Sequence, residues 1–201
     1  MERSDSPARA PSGLLLTGGA SSRMGRTKAL VEVEGVSFAR RTAAALRAVA
    51  DPVLAAGPAF DTGLESVADP GRGPFVAFMA GAQVLRARGH DAPILLVACD
   101  VPFVDEAALH LLLSKLEGHD GVVPVVGGRD QPSVSCWAPS AIAVGGRLVA
   151  ADQRSMRAWI AELRVRRLSE DDWRGVASET AFTDADTPAE LDSLIARDRT
   201  V

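Results

Sequence analysis

The stretch Leu14-Leu15-Leu16-Thr17-Gly18-Gly19-Ala20-Ser21-Ser22-Arg23-Met24-Gly25-Arg26-Thr27-Lys28 decides how the rest of the chain is read. Three consecutive leucines predict a buried strand, and the apolar run stops at paired glycines. Gly18 and Gly19 allow a backbone to approach a ligand closely. Successive N–H groups in such a loop form a concavity suited to an anion. Arg23 and Lys28 add two cations at a spacing that could neutralise a triphosphate. The residues alone equally allow a strand, a turn and a solvated basic loop.

Two familiar phosphate loops do not fit. A Walker A loop ends in Gly-Lys-Ser/Thr, whereas Gly25 is followed by Arg26 and Thr27. The dinucleotide fingerprint G-x-G-x-x-G is absent from the strand end. Composition narrows the setting. At 201 residues, 47% hydrophobic and 24% charged, the chain can bury a sizeable core as one domain. A net charge of −4 gives no sign of a nucleic-acid-binding surface, so the expectation is no nucleic-acid partner. Residues 1–12 are polar and Pro-containing and read as a flexible tail, with one domain over 13–201. No run approaches the ~18 apolar residues of a membrane span, and the tail lacks a signal-peptide core. Cys99 and Cys136 lack metal spacing and read as buried thiols, which places the protein in the cytoplasm.

Working outward, Ala29 to Val33 predicts a short strand closed by Glu34-Gly35. Ser37 then caps a helix with apolar positions Phe38, Ala45, Leu46 and Val49. Pro52 to Ala56 and Leu64 to Ala68 are short strands. Asp69-Pro70-Gly71-Arg72-Gly73-Pro74 opens a helix carrying Phe75, Phe78, Met79, Ala82 and Leu85 on one face. Ile94 to Cys99 is apolar on both faces, as in a central parallel strand, and ends in Asp100. A helix from Asp105 follows, with Leu109, Leu112, Leu113 and Leu116. Gly121 to Val126 and Gln131 to Trp137 predict strands around the polar turn Gly128-Arg129-Asp130-Gln131-Pro132. Ser155 to Leu163 predicts a helix and Val165 to Leu168 a late strand, with Arg164, Arg166 and Arg167 on a solvated face. Thr187-Pro188-Ala189-Glu190 is a capping box before Leu191, Leu194 and Ile195. Strands alternating with helices predict an α/β fold with a mainly parallel central sheet. Ligands of such sheets bind beyond the carboxyl ends of the strands, where Gly18-Gly19 and Asp100 both fall.

Asp100 admits two readings. A carboxylate ending an apolar strand needs compensation, which a divalent cation would give; or it is a turn residue before Pro102. Asp184 and Asp186 offer further carboxylates, or a turn ahead of the last helix. His90, His110 and His119 have no neighbours suggesting a triad.

The first loop resembles G-G-x-S-x-R-M-G-x-D-K, the signature of MobA-like nucleotidyltransferases and especially of the molybdenum cofactor guanylyltransferases. Gly18, Gly19, Ser21, Arg23, Met24, Gly25 and Lys28 match, and Thr27 replaces the usual Asp. Cys99-Asp100-Val101-Pro102 resembles the family's C-D-x-P metal motif, Gly73-Pro74 its G-P segment, and Phe182 to Pro188 a stretch near its C-terminus. The resemblance implies a Rossmann-like three-layer nucleotidyltransferase fold. It implies a Mg²⁺-dependent enzyme that moves GMP from GTP onto molybdenum-bound molybdopterin and releases pyrophosphate. It also implies handover contacts with other molybdenum-cofactor proteins. Arg23, Lys28 and Asp100 would be catalytic. Leu16, Thr17, Gly18, Gly19, Lys28, Asp69 and Asp100 would bind nucleotide, and Asp100 with Asp186 the metal. The region around Arg129 and Gln131 would meet the pterin. Two readings stand beside this one: CTP in place of GTP, since Ala55-Ala56-Gly57 lacks the Asn that many guanylyltransferases carry there, and a non-catalytic nucleotide or pterin carrier.

Overall fold

The computed structural model describes residues 10–18 and 27–198. Gly19, Ser21, Arg23, Met24 and Gly25, and nearly all of the predicted tail, lie outside the described residues.

The three leucines lie in β1 (Ser12–Leu16), buried along its whole length. Ser12, read from the sequence as tail, is the first residue of this strand and fully buried. Its N–H donates to Pro93 O at 2.9 Å, which draws the chain into the sheet one residue earlier than expected. The predicted strand Ala29 to Val33 is instead a 3-10 turn over Lys28–Leu30 followed by a small hairpin, β2 (Glu32–Val33) and β3 (Val36–Ser37). Glu34 and Gly35 both have positive φ, 54° and 77°, so they supply a tight two-residue turn that a continuous strand would not need.

Helix α1 (Phe38–Val49) starts as expected, with the Ser37 hydroxyl accepting from Arg40 N. The strands β4 (Val53–Ala56) and β5 (Glu65–Val67) follow, then α2 (Pro74–Ala87). Next come β6 (Ile94–Ala98), and α3 (Glu106–Ser114) capped by the Asp105 carboxylate. In the second half are β7 (Gly121–Val126), β8 (Arg129–Asp130), β9 (Val134–Trp137), α4 (Pro139–Ala150), α5 (Met156–Ala161), β10 (Val165–Leu168), α6 (Glu170–Trp173) and α7 (Pro188–Asp198).

The main sheet runs β10-β7-β9-β6-β1-β4-β5, with β8 paired to β7. Neighbours are parallel on either side of β1, between β4 and β5, and between β7 and β10. Only β9, among the strands on this path, runs against its neighbours β6 and β7. Period-two alternation sends successive β1 side chains to opposite faces. Leu15 joins α1 and α3 residues such as Leu46 and Leu112 in one core. Leu14 and Leu16 join Phe75 and Phe78 of α2, Ile142 of α4 and Trp159 of α5 in the other. The architecture is thus α/β with a mainly parallel central sheet between two helical layers. No helix among the described residues is long and apolar enough to cross a membrane.

A third, smaller cluster sits beside these layers. It joins Val31 and Val33, Phe38, Phe103, Ala185, and Leu191 and Leu194 of α7. This cluster gathers the segments that supply the polar groups described next.

Candidate active site

Because β1 and β6 are parallel neighbours with Leu16 opposite Ala98, their exits lie side by side. Cys99 N donates to Leu16 O at 2.9 Å, so the two chains leave the sheet still bonded. Thr17 is held on the other side, its N–H 3.1 Å from Ala56 O. Its hydroxyl donates to the same carbonyl at 3.3 Å. Beyond these exits opens a cleft of about 600 Å³ lined by Thr17, Gly18, Lys28, Asp69, Asp100 and the Gly73-Pro74 start of α2. The first N–H groups of a helix lack intrahelical partners and favour anions, so α2 offers donors as well as shape.

Gly18 is there for steric reasons. A Cβ at this position would lie 2.0 Å from Asp69 Oδ2, so only a residue without one leaves room for that carboxylate. Asp69 is held in turn by Gly71 N, which donates to its Oδ1 at 2.8 Å. Leu16, Thr17, Gly18, Lys28, Asp69 and Asp100, all singled out by sequence, therefore share one cleft. Gly19 and Arg23 belong to the undescribed loop.

Lys28 reaches across the cleft to two carboxylates. Its Nζ lies 3.0 Å from Asp100 Oδ2 and is also paired with Asp186 Oδ1. Asp184 completes the group: carboxylate oxygens of Asp100, Asp184 and Asp186 lie within 4.8 Å of one another. The backbone ties the two segments together, Ala185 N donating to Asp100 O at 2.8 Å. Glu190 of α7 closes the other end, accepting from the N–H groups of Asp186 and Thr187. The capping box read from the sequence thus also fixes a site residue.

The electrostatics follow from this crowding. Burial, reinforced by the neighbouring charges of Asp100 and Asp186, pushes the Asp184 carboxyl above the usual carboxylate range. For Lys28 burial acts to lower the pKa, but the hydrogen bond to Asp186 and the pairing with Asp100 outweigh it and raise it. Cys99, beside Asp100, is pushed up to about 12 by burial, with the Asp100 charge adding to it. A thiol so placed stays protonated and is no nucleophile. Among the described residues three carboxylates face one ammonium here, and the carboxylate donor atoms are hard oxygens. That donor set suits a divalent cation such as Mg²⁺.

Other sequence readings fall elsewhere. Thr27, at the position of the family's Asp, is exposed and caps nothing with its side chain. Ala55 and Ala56 are fully buried and present only methyl groups beside Thr17. The turn carrying Arg129, Asp130 and Gln131 lies on the same edge of the sheet, since Ala98 N donates to Ser133 O at 2.7 Å. Arg167 pairs with Asp130 and Arg166 with Asp172, in keeping with a solvated face. None of the three histidines lines the cleft. A second groove of similar size, about 610 Å³, lies between α1 and residues 102–105. Its charged groups are largely engaged internally: Arg41 bonds Pro102 O, Arg47 bonds Thr62 O, and Asp61 accepts from Ser37. The sequence reading missed the third cluster, which places Phe103 and Ala185 under the carboxylates. The alternation Asp184-Ala185-Asp186 was the available signal, an apolar residue set between two polar ones.

The chain has relatives of known family and fold. Residues 13–168 match the family model described as MobA-like NTP transferase domain. The chain is 31% identical over 186 residues to the "Probable molybdenum cofactor guanylyltransferase" of Pelotomaculum thermopropionicum, covering 89% of each. It is 32% identical to the molybdenum cofactor guanylyltransferase of Rhodobacter capsulatus, over 71% of this chain and 76% of that one. Among solved structures, molybdopterin-guanine dinucleotide biosynthesis protein A from Archaeoglobus fulgidus shares the fold. It has a TM-score of 0.75 at 19% identity, over 94% of this chain and 100% of that one. A Thermus thermophilus cytidylyltransferase, acting on 2-C-methyl-D-erythritol 4-phosphate, also shares the fold, with a TM-score of 0.63 at 19% identity over 92% of this chain and 98% of that one. The match over most of the sheet and the identity to curated relatives lead to one conclusion: this chain belongs to the MobA-like family of nucleotidyltransferases.

Proposed function

We propose that this chain transfers GMP from GTP to molybdenum-bound molybdopterin and releases pyrophosphate, with the chain from Ser12 onward acting as one domain. The observation that carries the reading is the meeting of Gly18, Asp69, Lys28 and Asp100 in one cleft at adjacent strand exits. The names of the curated relatives support guanine as the base.

In the reaction, a terminal phosphate oxygen of the pterin attacks the α-phosphorus of GTP. A new P–O bond forms as the bond to the β-phosphate oxygen breaks, and the electron pair leaves with pyrophosphate. The protein contributes positioning and charge neutralisation. The loop after β1 and the start of α2 cradle the triphosphate. Lys28, with Arg23 of the signature loop, neutralises charge growing on the leaving pyrophosphate. Asp100, Asp184 and Asp186 would hold Mg²⁺, which supplies positive charge across the phosphates when bound. Arg129 and Gln131, on the same edge of the sheet, would meet the acceptor.

A specific observation favours a second reading, the same transfer from CTP. Ala55 and Ala56 offer no polar side chain beside Thr17, where the guanine reading expects an amide. One experiment tests both. The protein is incubated with Mg²⁺, the pterin acceptor and GTP or CTP labelled in the α-phosphate. Label moving from GTP supports the first reading, and a clear preference for CTP replaces it with the second. Binding of nucleotide without pyrophosphate release from either would leave a carrier and end the enzyme reading.

A further inference from the structure

Lys28 is bonded to the carboxylates that are read above as the metal ligands. Nζ sits 3.0 Å from Asp100 Oδ2 and is paired with Asp186 Oδ1. Those carboxylates and that of Asp184 face one another within 4.8 Å. An ammonium and a divalent cation make the same demand on a carboxylate oxygen, because each needs its lone pairs. With Nζ against oxygens of two of the three groups, a cation entering the cluster competes with it for their lone pairs and is repelled by its charge.

The same ammonium also lines the nucleotide cleft, together with Gly18 and the start of α2. Its four-carbon stem lets the charged head move without the backbone following. A triphosphate in that cleft is a competing anion of higher charge.

We propose that Lys28 keeps divalent cations off Asp100 and Asp186 until a triphosphate draws it away, so that metal loads with the nucleotide or after it. The inference rests on the reading of the three aspartates as metal ligands. It gives Lys28 two successive partners, carboxylate then phosphate, and makes the enzyme one without a tightly resident metal.

The test is Mn²⁺ binding to the nucleotide-free protein, followed by electron paramagnetic resonance and calorimetry. Wild type should bind weakly, and Lys28→Met at least ~10-fold more tightly, the scale of one charge-assisted contact. Lys28→Arg keeps a cationic head and should bind no more tightly than wild type. The gain in Lys28→Met should persist in about 1 M KCl, where the Debye length is near 3 Å and only direct contact survives screening. Equal affinity of Lys28→Met and wild type overturns the proposal. So does a gain that vanishes in salt, or absence of binding by Lys28→Met. Asp100→Asn separates this from failure of the ligand reading. If it abolishes Mn²⁺ binding to Lys28→Met, the carboxylates are ligands whatever Lys28 does. If Mn²⁺ binds the double variant unchanged, the ligand reading itself falls.

Discussion

Asp100 and Asp120 stand at opposite ends of one sheet, and their surroundings differ in kind. Asp120 precedes β7, on the edge where the parallel strands begin. Ser140 Oγ donates to its Oδ1 at 2.6 Å and Arg164 N to its Oδ2 at 3.0 Å. Its own N–H and C=O bond Arg164 and Ala138. Donors surround it, chiefly the Ser140 hydroxyl and then the Arg164 amide, and they hold its carboxyl below the usual range. Asp100 follows β6, on the edge where the strands end, and is crowded by two more carboxylates with Lys28 between. The first aspartate is satisfied by its neighbours and holds three segments together. The second belongs to a group in which, among the described residues, three carboxylates share one ammonium, an arrangement that a fold alone does not require. Demand for charge from outside, rather than the residue type, separates a site from a staple.

The sharpest way to break this comparison is Asp100→Asn. Turnover should fall by at least ~10²-fold, the scale of losing one preorganised electrostatic group. The melting temperature should hold or rise, since the amide relieves repulsion and Lys28 keeps Asp186 as a partner. Unfolding of the variant with full activity in its soluble part would make Asp100 another staple. Next in size is Lys28→Ala, which should slow turnover and weaken triphosphate binding by roughly 10-fold or more, with monophosphate binding changed far less. Calorimetry with GTP and GMP separates the two. Similar losses for both nucleotides would move Lys28 away from the outer phosphates.

Asp184→Asn should cost less, about tenfold in turnover, or ~1.4 kcal/mol. Its effect on stability has the opposite sign to its effect on rate. The Asp184 carboxyl titrates higher in the folded protein than its ordinary value of 3.8, so the folded state holds its proton longer than the unfolded chain does. Stability from this group is therefore greatest below pH 3.8 and is lost as pH rises through the folded value. The amide should remove that loss and melt higher than wild type at neutral pH. A lower melting temperature would show that Asp184 is held by unseen donors.

The smallest effect on turnover sharpens the other side. Asp120→Ala should cost about 1–2 kcal/mol at neutral pH, from charge-assisted bonds lost at a partly exposed group, and leave turnover per folded molecule intact. The folded Asp120 carboxyl titrates below 3.8, so its contribution is present above that pH and lost as pH falls through the folded value. Melting curves of wild type and variant should therefore converge in acid.

Much of the site edge was readable because local chemistry dictates it. The apolar runs of β1 and β6, the Pro74 start of α2 and the Thr187–Glu190 box each carry their own signal. Helix α4 had none that stood out, since Gly145-Gly146 interrupts its pattern. Gly145 is required by packing: a Cβ there would lie 2.6 Å from Met79 Sδ of α2 and 3.2 Å from Trp159 Nε1. Such a need comes from another helix and leaves no periodic trace. The reversal of β9 was equally hidden, because a run of apolar residues does not encode direction. Most of all, the bonds from Lys28 to Asp100 and Asp186 span 72 and 158 positions. Only the folded sheet brings such distant residues together.

The small cluster beneath the carboxylates sets a rule about chain length. Ala185 is fully buried among Phe103, Leu191 and Leu194, whereas the aspartates on either side turn toward Asp100. Substitutions near by can be absorbed one at a time. A single residue inserted or deleted between Phe182 and Thr187 cannot, because it would exchange the two sides of the segment. A carboxylate would then be driven into the apolar cluster and a methyl group turned toward the site. Phe182 and α7 anchor the segment at both ends, so no slack exists to take up the change. Outside its two aspartates, this short stretch can therefore drift in composition but not in length.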